Sequence, residues 1–390
     1  MPRRRHHRPD TARPTEATPL TTPLTDPRST APAPGVRARR ARVRRACPLV
    51  VALAASLALG VALGSTQAPP AQAIRPLDGA TAPSSAAVGG APALATAGVN
   101  PLAPARGYAD PSSLASAVAS VTSGTTQQVA ATIAGVPQAR WIAPTDGAAQ
   151  ISDYLRGAAA AGRTTILAFY GMPDRDCGGY SAGGTQTPAQ HTAWVSSIRT
   201  LIAGRRVVVI LEPDALPAGG CTDGSASLAA RLGTLAAAVD VLTRDALTAV
   251  YIDAGHEDWL TPAEAATRLR DAHVAKTRGF SLNVSNFYTT SSEVAYGQQI
   301  STLLGGQHFV VDTSRNGAGP TPTFLWCNPS GRLAGSRPHA VTGTTGLDGY
   351  LWIKHPGESD GSCAGGPPSG QWFTSWANDF AIRSRTAGKL

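Results

Sequence analysis

Short runs rich in β-branched and aromatic residues alternate with longer stretches rich in alanine and leucine from about residue 108 to the end of the chain. The short runs have the length and composition of buried strands. This alternation is typical of an α/β domain in which helical crossovers join parallel strands, and seven strands of similar length favour a barrel, closed or nearly closed, over an open sheet. The predicted strands are 139–143, 165–170, 206–211, 249–253, 280–284, 308–312 and 349–354, and the principal predicted helices are 146–162, 188–204, 225–245, 261–277 and 291–303.

Polar residues crowd the positions that follow these predicted strands. A single polar residue at such a place is usually a cap or a turn former. In a parallel barrel, however, the carboxyl ends of all strands converge on one face, where active sites form. We therefore expect a functional cleft on that face. The clusters are 174–176, 212–214, 253–256, 283–286, 312–316 and 354–360.

The net charge of +9 is confined to the front of the chain. Residues 1–45 contain 12 Arg and three acidic residues, whereas the rest of the chain is balanced, with 22 basic and 22 acidic residues. A neutral body has no electrostatic attraction for a phosphate backbone, so nucleic acid is not expected as a partner.

The front of the chain also has the layout of an export signal. A basic region at 37–45 precedes an apolar stretch at 49–63, and the small-x-small sequence 71–73 follows as a cleavage site. The apolar stretch is shorter than the ~20 residues that a membrane-spanning helix needs. We therefore expect a secreted protein whose mature chain begins near Ile74 and keeps no stable membrane span. A retained N-terminal anchor is the alternative.

Three regions are predicted from composition. Residues 1–73 form a basic N-terminal extension with the export signal. Residues 74–105 consist mainly of Ala, Pro, Gly and Ser and cannot bury enough apolar surface to fold, so they form a disordered linker. Residues 106–390 form the domain that carries the chemistry.

The chain has five cysteines, of which Cys47 lies within the predicted signal. In an oxidising compartment the other four are expected to form two disulfides, and three pairings are open. No Cys-x-x-Cys or His-x-x-x-His spacing supports a zinc site, and no metal or cofactor is expected. The four cysteines are Cys177, Cys221, Cys327 and Cys363.

Several carboxylates follow the predicted strands, and pairs of carboxylates cleave glycosidic bonds. One group must keep its proton for the leaving oxygen, while the second manages an attacking water or a covalent intermediate. Pro213 fixes the backbone between Glu212 and Asp214, so that one can face the cleft and the other can brace the barrel. A nearby ionised Asp176 and partial burial would raise the pKa of Asp214 and keep it protonated near neutral pH. Further candidates are Asp253, Glu358 and Asp360.

Seven strings at these positions form an ordered set. They are 170–184 (YGMPDRDCGGYSAGG), 211–214 (LEPD), 251–256 (YIDAGH), 283–287 (NVSNF), 312–317 (DTSRNG), 326–328 (WCN) and 352–361 (WIKHPGESDG). In this order, over roughly residues 139–376, they resemble the motifs of glycoside hydrolase family 6. The resemblance implies a distorted seven-stranded parallel β/α barrel that hydrolyses β-1,4-glucans, such as cellulose, carboxymethylcellulose or mixed-linkage glucan, with inversion.

The resemblance also implies roles for individual residues. Asp214 matches the general acid, and Asp176 matches the carboxylate that raises the pKa of this acid and, with Ser181, orders the attacking water. Tyr170 matches the tyrosine beneath the distorted sugar. Asp360 matches a candidate base, with a chain of water molecules that carries the proton as the alternative.

A glucan cleft needs flat aromatic platforms and polar side chains, because sugar rings have apolar faces edged with hydroxyls. A lone tryptophan is more often a core residue, but three tryptophans stand at positions that match the family motifs: Trp141, Trp259 and Trp326. Asn283, Asn286 and Arg315 either brace loops or contact sugar. The predicted substrate-binding residues are Trp141, Asp253, His256, Trp259, Asn286, Trp326, Lys354 and Glu358.

The family pattern pairs Cys177 with Cys221 and Cys327 with Cys363.

The stretches 214–253 and 327–363 are short, whereas family members that act from chain ends cover the cleft with long loops. We therefore expect a monomeric endoglucanase, with a cellobiohydrolase of the same family as the first alternative. A non-catalytic glucan-binding protein would be expected to lack Asp176, Asp214 or Asp360. A metal-dependent deacetylase would need more ligands than Asp253 and His256.

Overall fold

The computed structural model describes residues 98–103 and 106–390. The predicted export signal, its cleavage site and most of the predicted linker lie outside the described residues. Contacts with the body begin at Asn100, whose side-chain amide donates hydrogen bonds to the Val341 and Asp348 carbonyls. Leu102 is buried. The folded part therefore includes Asn100 and Leu102, which precede the predicted boundary at 106.

One sheet of eight strands forms the centre of the molecule, in the order β1-β2-β3-β4-β5-β6-β8-β7. The seven predicted strands are all present and pair in parallel, which confirms the α/β barrel-like fold. The short β7, which was not predicted, pairs antiparallel with β8. The strands are β1 (Arg140–Ile142), β2 (Thr165–Phe169), β3 (Val207–Leu211), β4 (Thr248–Asp253), β5 (Gly279–Leu282), β6 (His308–Asp312), β7 (His339–Ala340) and β8 (Leu347–Leu351).

The strand order is linear and its first and last strands do not pair, so the curled sheet forms an open, distorted barrel. Two hydrogen bonds link its two sides near the opening. The Ala139 N–H donates to the Trp352 carbonyl over 2.9 Å, and the indole N–H of Trp141 donates to the Ile353 carbonyl over 2.7 Å. These bonds hold the segment after β8 beside β1.

Both faces of the parallel strands are buried, which explains their nearly continuous apolar runs. Ile166, Val208 and Ile210 face the barrel interior. The alternate residues, such as Leu167 and Val209, pack against the surrounding helices. The strands therefore form a rigid base for the loops at their carboxyl ends.

The five predicted helices are present, but α7 ends at Asp271 instead of residue 277. His273 has a left-handed φ of 62°, and the chain continues as a 3-10 turn over Val274–Lys276. The helices are α1 (Leu114–Val121), α2 (Gly124–Ala134), α3 (Ala148–Ala160), α4 (Pro188–Ile202), α5 (Ala215–Ala218), α6 (Leu228–Leu242), α7 (Pro262–Asp271), α8 (Thr290–Leu303) and α9 (Thr374–Thr386).

Helices α1, α2 and α9 were not predicted, and they form a separate apolar cluster. Ile133 of α2 and Phe380 of α9 belong to this cluster, together with the buried Trp352. Trp352 follows β8 and accepts the Ala139 hydrogen bond described above. The cluster therefore packs against the part of the barrel where the two sides of the sheet meet.

The disulfides are Cys177–Cys221 and Cys327–Cys363, which confirms the pairing that the family pattern implied. Both connect loops on the face where the parallel strands end. Among the described residues, no helix combines the length and apolar character needed to cross a membrane.

Candidate active site

A cavity of about 900 Å³ lies at the carboxyl ends of the parallel strands. It brings together the three carboxylates on which the predicted chemistry depends, Asp176, Asp214 and Asp360. Of the predicted catalytic and substrate-binding residues, all except Asp253 line this cleft: Trp141, Tyr170, Asp176, Ser181, Asp214, His256, Trp259, Asn286, Trp326, Lys354, Glu358 and Asp360.

The turn after β3 separates the two carboxylates of the Glu-Pro-Asp sequence. Glu212 and Asp214 both adopt left-handed backbone conformations, with φ of 52° and 70°, on either side of Pro213. Glu212 is fully buried and accepts hydrogen bonds from the Gly171 and Met172 amides. Asp214 faces the cleft instead. The two carboxylates therefore divide into a brace and a cleft residue, as the intervening proline predicted.

Asp253 lies behind the cleft and not on its wall. Asp253 is 1% exposed, and its Oδ2 accepts hydrogen bonds from the Asp214 amide at 2.9 Å and the Gly255 amide at 3.3 Å. The expectation that Asp253 binds substrate does not fit this position, because the carboxylate at the end of β4 faces the barrel interior. Its visible effect is to hold the backbone of Asp214.

The Asp214 carboxyl has the electrostatic environment of a proton donor. Its pKa is raised to about 7, chiefly by burial and next by the negative charge of Asp176. The positive charge of Lys354 acts in the opposite direction, and Asp360 adds a smaller increase. A carboxyl with this pKa carries a proton in much of the population near neutral pH.

Asp176 lies on the 174–184 loop, which follows β2. Its Oδ2 accepts a hydrogen bond of 2.6 Å from the Ser181 amide. The Ser181 hydroxyl lies 2.7 Å from the Ser369 hydroxyl, on the segment that follows Asp360. The carboxylate and the serine predicted to order water are thus parts of one turn at the edge of the cleft.

Tyr170 lies directly after β2, between the predicted tryptophan platform and the 174–184 loop. Its ring meets the Trp141 ring edge to face, with centroids 5.0 Å apart. The Arg175 guanidinium lies 4.3 Å from the centre of the Tyr170 ring and donates hydrogen bonds to the Tyr170 and Ser181 carbonyls. Burial, followed by the charges of Asp214 and Asp176, raises the pKa of the Tyr170 hydroxyl, so it stays protonated.

Asp360 is held as an anion by its neighbours. Burial alone would raise the pKa of Asp360, but Arg315, Lys354 and the Asn328 amide outweigh it and bring the pKa below its usual range. Arg315 Nη1 lies 2.9 Å from both carboxylate oxygens, and Lys354 Nζ lies 3.3 Å from Oδ1. A carboxylate with these partners is a weak proton acceptor.

Glu358 is paired with a histidine at the opposite wall. His355 Nδ1 lies 2.8 Å from Glu358 Oε1, and His355 Nε2 lies 2.6 Å from the Ala139 carbonyl. Both ring nitrogens therefore face acceptors, which requires the protonated imidazole. Burial lowers the pKa of His355, but Glu358 reverses this effect and the net pKa is raised.

Four rings form a continuous aromatic wall: His256, Trp259, Tyr288 and Phe324. The His256 and Tyr288 rings stack with centroids 4.4 Å apart, and Phe324 stacks on Tyr288 at 5.3 Å. Burial lowers the pKa of His256 to about 4, so the imidazole is neutral above that pH. The wall therefore offers a largely uncharged surface to a ligand, with Trp259 38% exposed.

Two residues whose role the sequence left open are braces. Asn283 is fully buried, and its side-chain amide donates to the Tyr288 and Asp312 carbonyls. Arg315 is 1% exposed and does not line the cleft. Among the described residues, no group of three or more His, Cys, Asp or Glu side chains is arranged to hold a metal ion.

Several cleft residues were missed by the sequence analysis. Tyr180 is inside the motif string 170–184, Tyr288 directly follows the string 283–287, and Phe324 lies two residues before Trp326. Their aromatic character and their positions could therefore have marked them as cleft residues. Arg231, within α6, and Ser369, in a loop, had no such signal. The missed residues that line the cleft include Tyr180, Arg231, Asp258, Tyr288, Phe324 and Ser369.

A barrel with a groove that joins aromatic faces, carboxylates and a protonated acid defines a carbohydrate-active type of protein. The sequence profile described as Glycosyl hydrolases family 6 matches residues 104–384. The chain therefore belongs to glycoside hydrolase family 6.

Individual relatives agree with this assignment. The chain is 43% identical over 282 residues to Endoglucanase A of Cellulomonas fimi, which covers 71% of this chain and 61% of that protein. It is 42% identical over 273 residues to Endoglucanase 1 of Streptomyces halstedii, covering 67% of this chain and 83% of the relative. A solved structure of the endoglucanase Cel6 from Mycobacterium tuberculosis, in complex with methyl-cellobiosyl-4-deoxy-4-thio-β-D-cellobioside, is 42% identical. It has a TM-score of 0.69 and covers 74% of this chain and 100% of that chain.

The cause of the raised Asp214 pKa can be tested by titration. Asp176→Asn removes the like charge and is expected to lower the pKa of Asp214 by about half a unit, since solvent screens the exposed Asp176 but burial of Asp214 persists. Carboxyl ¹³C shifts measured against pH report this value, and Asp214→Asn identifies the resonance. Asp271→Asn, at the exposed end of α7, is the control. An unchanged Asp214 pKa in Asp176→Asn would contradict the assigned cause.

Proposed function

We propose that this protein is a secreted endo-β-1,4-glucanase that hydrolyses internal bonds of cellulose-type glucans with inversion. The observation that carries the proposal is that Asp214 lies with Asp176 and Asp360 in an aromatic-lined cleft of a family 6 chain, where burial and the charge of Asp176 raise the pKa of Asp214. The relatives named as endoglucanases support the substrate class. Secretion rests on the export pattern in the sequence and on the two disulfides, which persist in oxidising compartments.

Asp214 serves as the general acid in this mechanism. Its proton passes to the glycosidic oxygen as the bond to the anomeric carbon breaks. Tyr170 lies in the cleft between Trp141 and the 174–184 loop, where its ring can support the sugar at the bond that is cleaved. Burial and Asp176 keep the acid protonated at the pH at which it must react.

A water molecule attacks the anomeric carbon on the opposite face. Asp360 has both oxygens engaged by Arg315, which makes this carboxylate a poor nucleophile and a weak base. Because of these ion pairs, we expect the attacking water to lose its proton through a chain of water molecules at Asp176 and Ser181. The Asp360 carboxylate instead stabilises the positive charge that develops on the sugar. Direct attack by water, without a covalent intermediate, inverts the anomeric carbon.

The acid is tested by Asp214→Asn, which keeps the size of the side chain but removes its proton. Hydrolysis of carboxymethylcellulose is expected to fall at least ~1000-fold, whereas binding of cello-oligosaccharides should remain nearly intact, because protonation of the leaving group is lost and the aromatic faces are unchanged. Reducing-end assays and calorimetric titration measure the two quantities. If Asp214→Asn keeps most of the rate, Asp214 is not the acid. Binding without hydrolysis by the unmodified protein would indicate a glucan-binding protein.

Inversion predicts the stereochemistry of the first product. Cleavage of a β-1,4-bond by direct attack of water releases the new reducing end as the α-anomer. Proton NMR recorded within the first turnovers, before mutarotation, distinguishes the two anomers. A β-anomer as the first product would require a covalent intermediate and would contradict the mechanism.

Endo action predicts that viscosity falls early. The platform residues Trp259 and Trp326 are 38% and 49% exposed, which is consistent with a cleft that admits the middle of a chain. We expect the viscosity of carboxymethylcellulose to drop before soluble sugars accumulate. Accumulation of cellobiose with little loss of viscosity would instead identify a cellobiohydrolase.

A further inference from the structure

The 174–184 loop is fixed at its base by covalent and hydrogen bonds, whereas its tip is exposed. Cys177 is linked to Cys221, and Arg175 binds the carbonyls of Tyr170 and Ser181. At the tip, Tyr180 is 50% exposed. Asp176 and Ser181 lie on either side of this tip, so its position sets where the Asp176 charge stands relative to Asp214.

Tyr180 reaches across to the segment that carries Asp360. Its ring lies against Gly361, where an added Cβ would be 2.3 Å from Tyr180 Cγ. The ring also lies beside Trp326, with centroids 6.1 Å apart and planes inclined by 51°. The absence of a side chain at Gly361 leaves the room that the tyrosine ring occupies. This aromatic contact connects three segments of the cleft that are distant in the sequence.

We propose that Tyr180 is a positioning residue, which holds the tip of the 174–184 loop against Gly361 and Trp326 and so keeps Asp176 beside Asp214. Only the expected effect on the rate of glucan hydrolysis rests on the proposed function. Asp176 Oδ2 accepts the Ser181 amide, which directly follows Tyr180. Displacement of the ring therefore moves the turn to which the carboxylate is bound.

A second contact between the loop tip and the rest of the cleft restrains the tip less than the Tyr180 ring does. It consists of the single hydrogen bond between the Ser181 and Ser369 hydroxyls. Hydroxyl pairs accessible to water contribute little, because water replaces either partner. The Tyr180 ring buries part of its apolar surface against Gly361 and Trp326, so we assign the main restraint to it.

The test compares Tyr180→Ala with Tyr180→Phe. Loss of the ring frees the tip, moves Asp176 away and admits water to Asp214, and both effects lower the pKa of the acid. The alkaline limb of the kcat profile on cellopentaose should shift to lower pH by about half a unit, with kcat reduced about 3- to 10-fold. Tyr180→Phe keeps the ring, so the alkaline limb of its kcat profile should stay at the pH found for the unmodified protein. The charged or titratable groups that act on Asp214 in this profile are Tyr170, Asp176, Asp253, Lys354 and Asp360.

Leu325→Ala is the matched control, since Leu325 is 54% exposed beside Trp326 and does not line the cleft. An unshifted alkaline limb in Tyr180→Ala overturns the proposal, whatever happens to the rate. Equal shifts in Tyr180→Phe and Tyr180→Ala overturn it as well, because they assign the effect to the hydroxyl. If the unmodified protein hydrolyses no glucan, the proposed function fails, but the ¹³C titration of Asp214 in Tyr180→Ala still tests the position of Asp176.

Discussion

The geometry of the cleft depends on buried carboxylates at the strand ends that accept backbone amides from neighbouring loops. Glu212 after β3 binds the Gly171 and Met172 amides after β2. Asp253 at the end of β4 binds the Asp214 amide after β3. Asp312 at the end of β6 binds the amides of Ser285 after β5 and Lys354 after β8. Each brace fixes a loop on an adjacent strand, so hydrogen bonds from backbone amides to buried carboxyl groups tie the rim of the barrel together.

The same residue type has opposite properties at two positions of this rim. Asp214 is partly buried, has a negative neighbour and a pKa of about 7. Asp360 is buried as well, but Arg315 and Lys354 hold its pKa below the usual range. Burial favours the neutral acid in both cases, and the sign of the nearest charges decides the outcome. The cleft thereby keeps one protonated and one ionised carboxyl group at the same pH, which is the combination that acid catalysis on a sugar requires.

The strands could be predicted because parallel strands are apolar on both faces, and twelve of the residues that line the cleft could be predicted from the polar clusters after the strands and from the family motifs. Helices α1 and α2 were missed because their Ala, Ser, Thr and Gln residues give weak local signals, and they are stabilised by packing with α9. The sequence analysis placed Asp253 in the cleft, although the alternation of side chains along a strand indicates otherwise. Asp253 lies two residues after Tyr251, which faces the barrel interior, so both side chains point the same way. The contact of Tyr180 with Gly361 joins distant parts of the chain, and no local pattern indicates it.

The opening of the barrel has a consequence for how copies of this chain can meet. An unclosed sheet has two edge strands, and exposed edges invite pairing with a second molecule. Here one edge is β1, with three residues, and the other is β7, with two residues. The Trp352 carbonyl is already bonded to Ala139 beside β1. Edge strands this short offer an incoming strand little backbone to pair with, although the barrel is open.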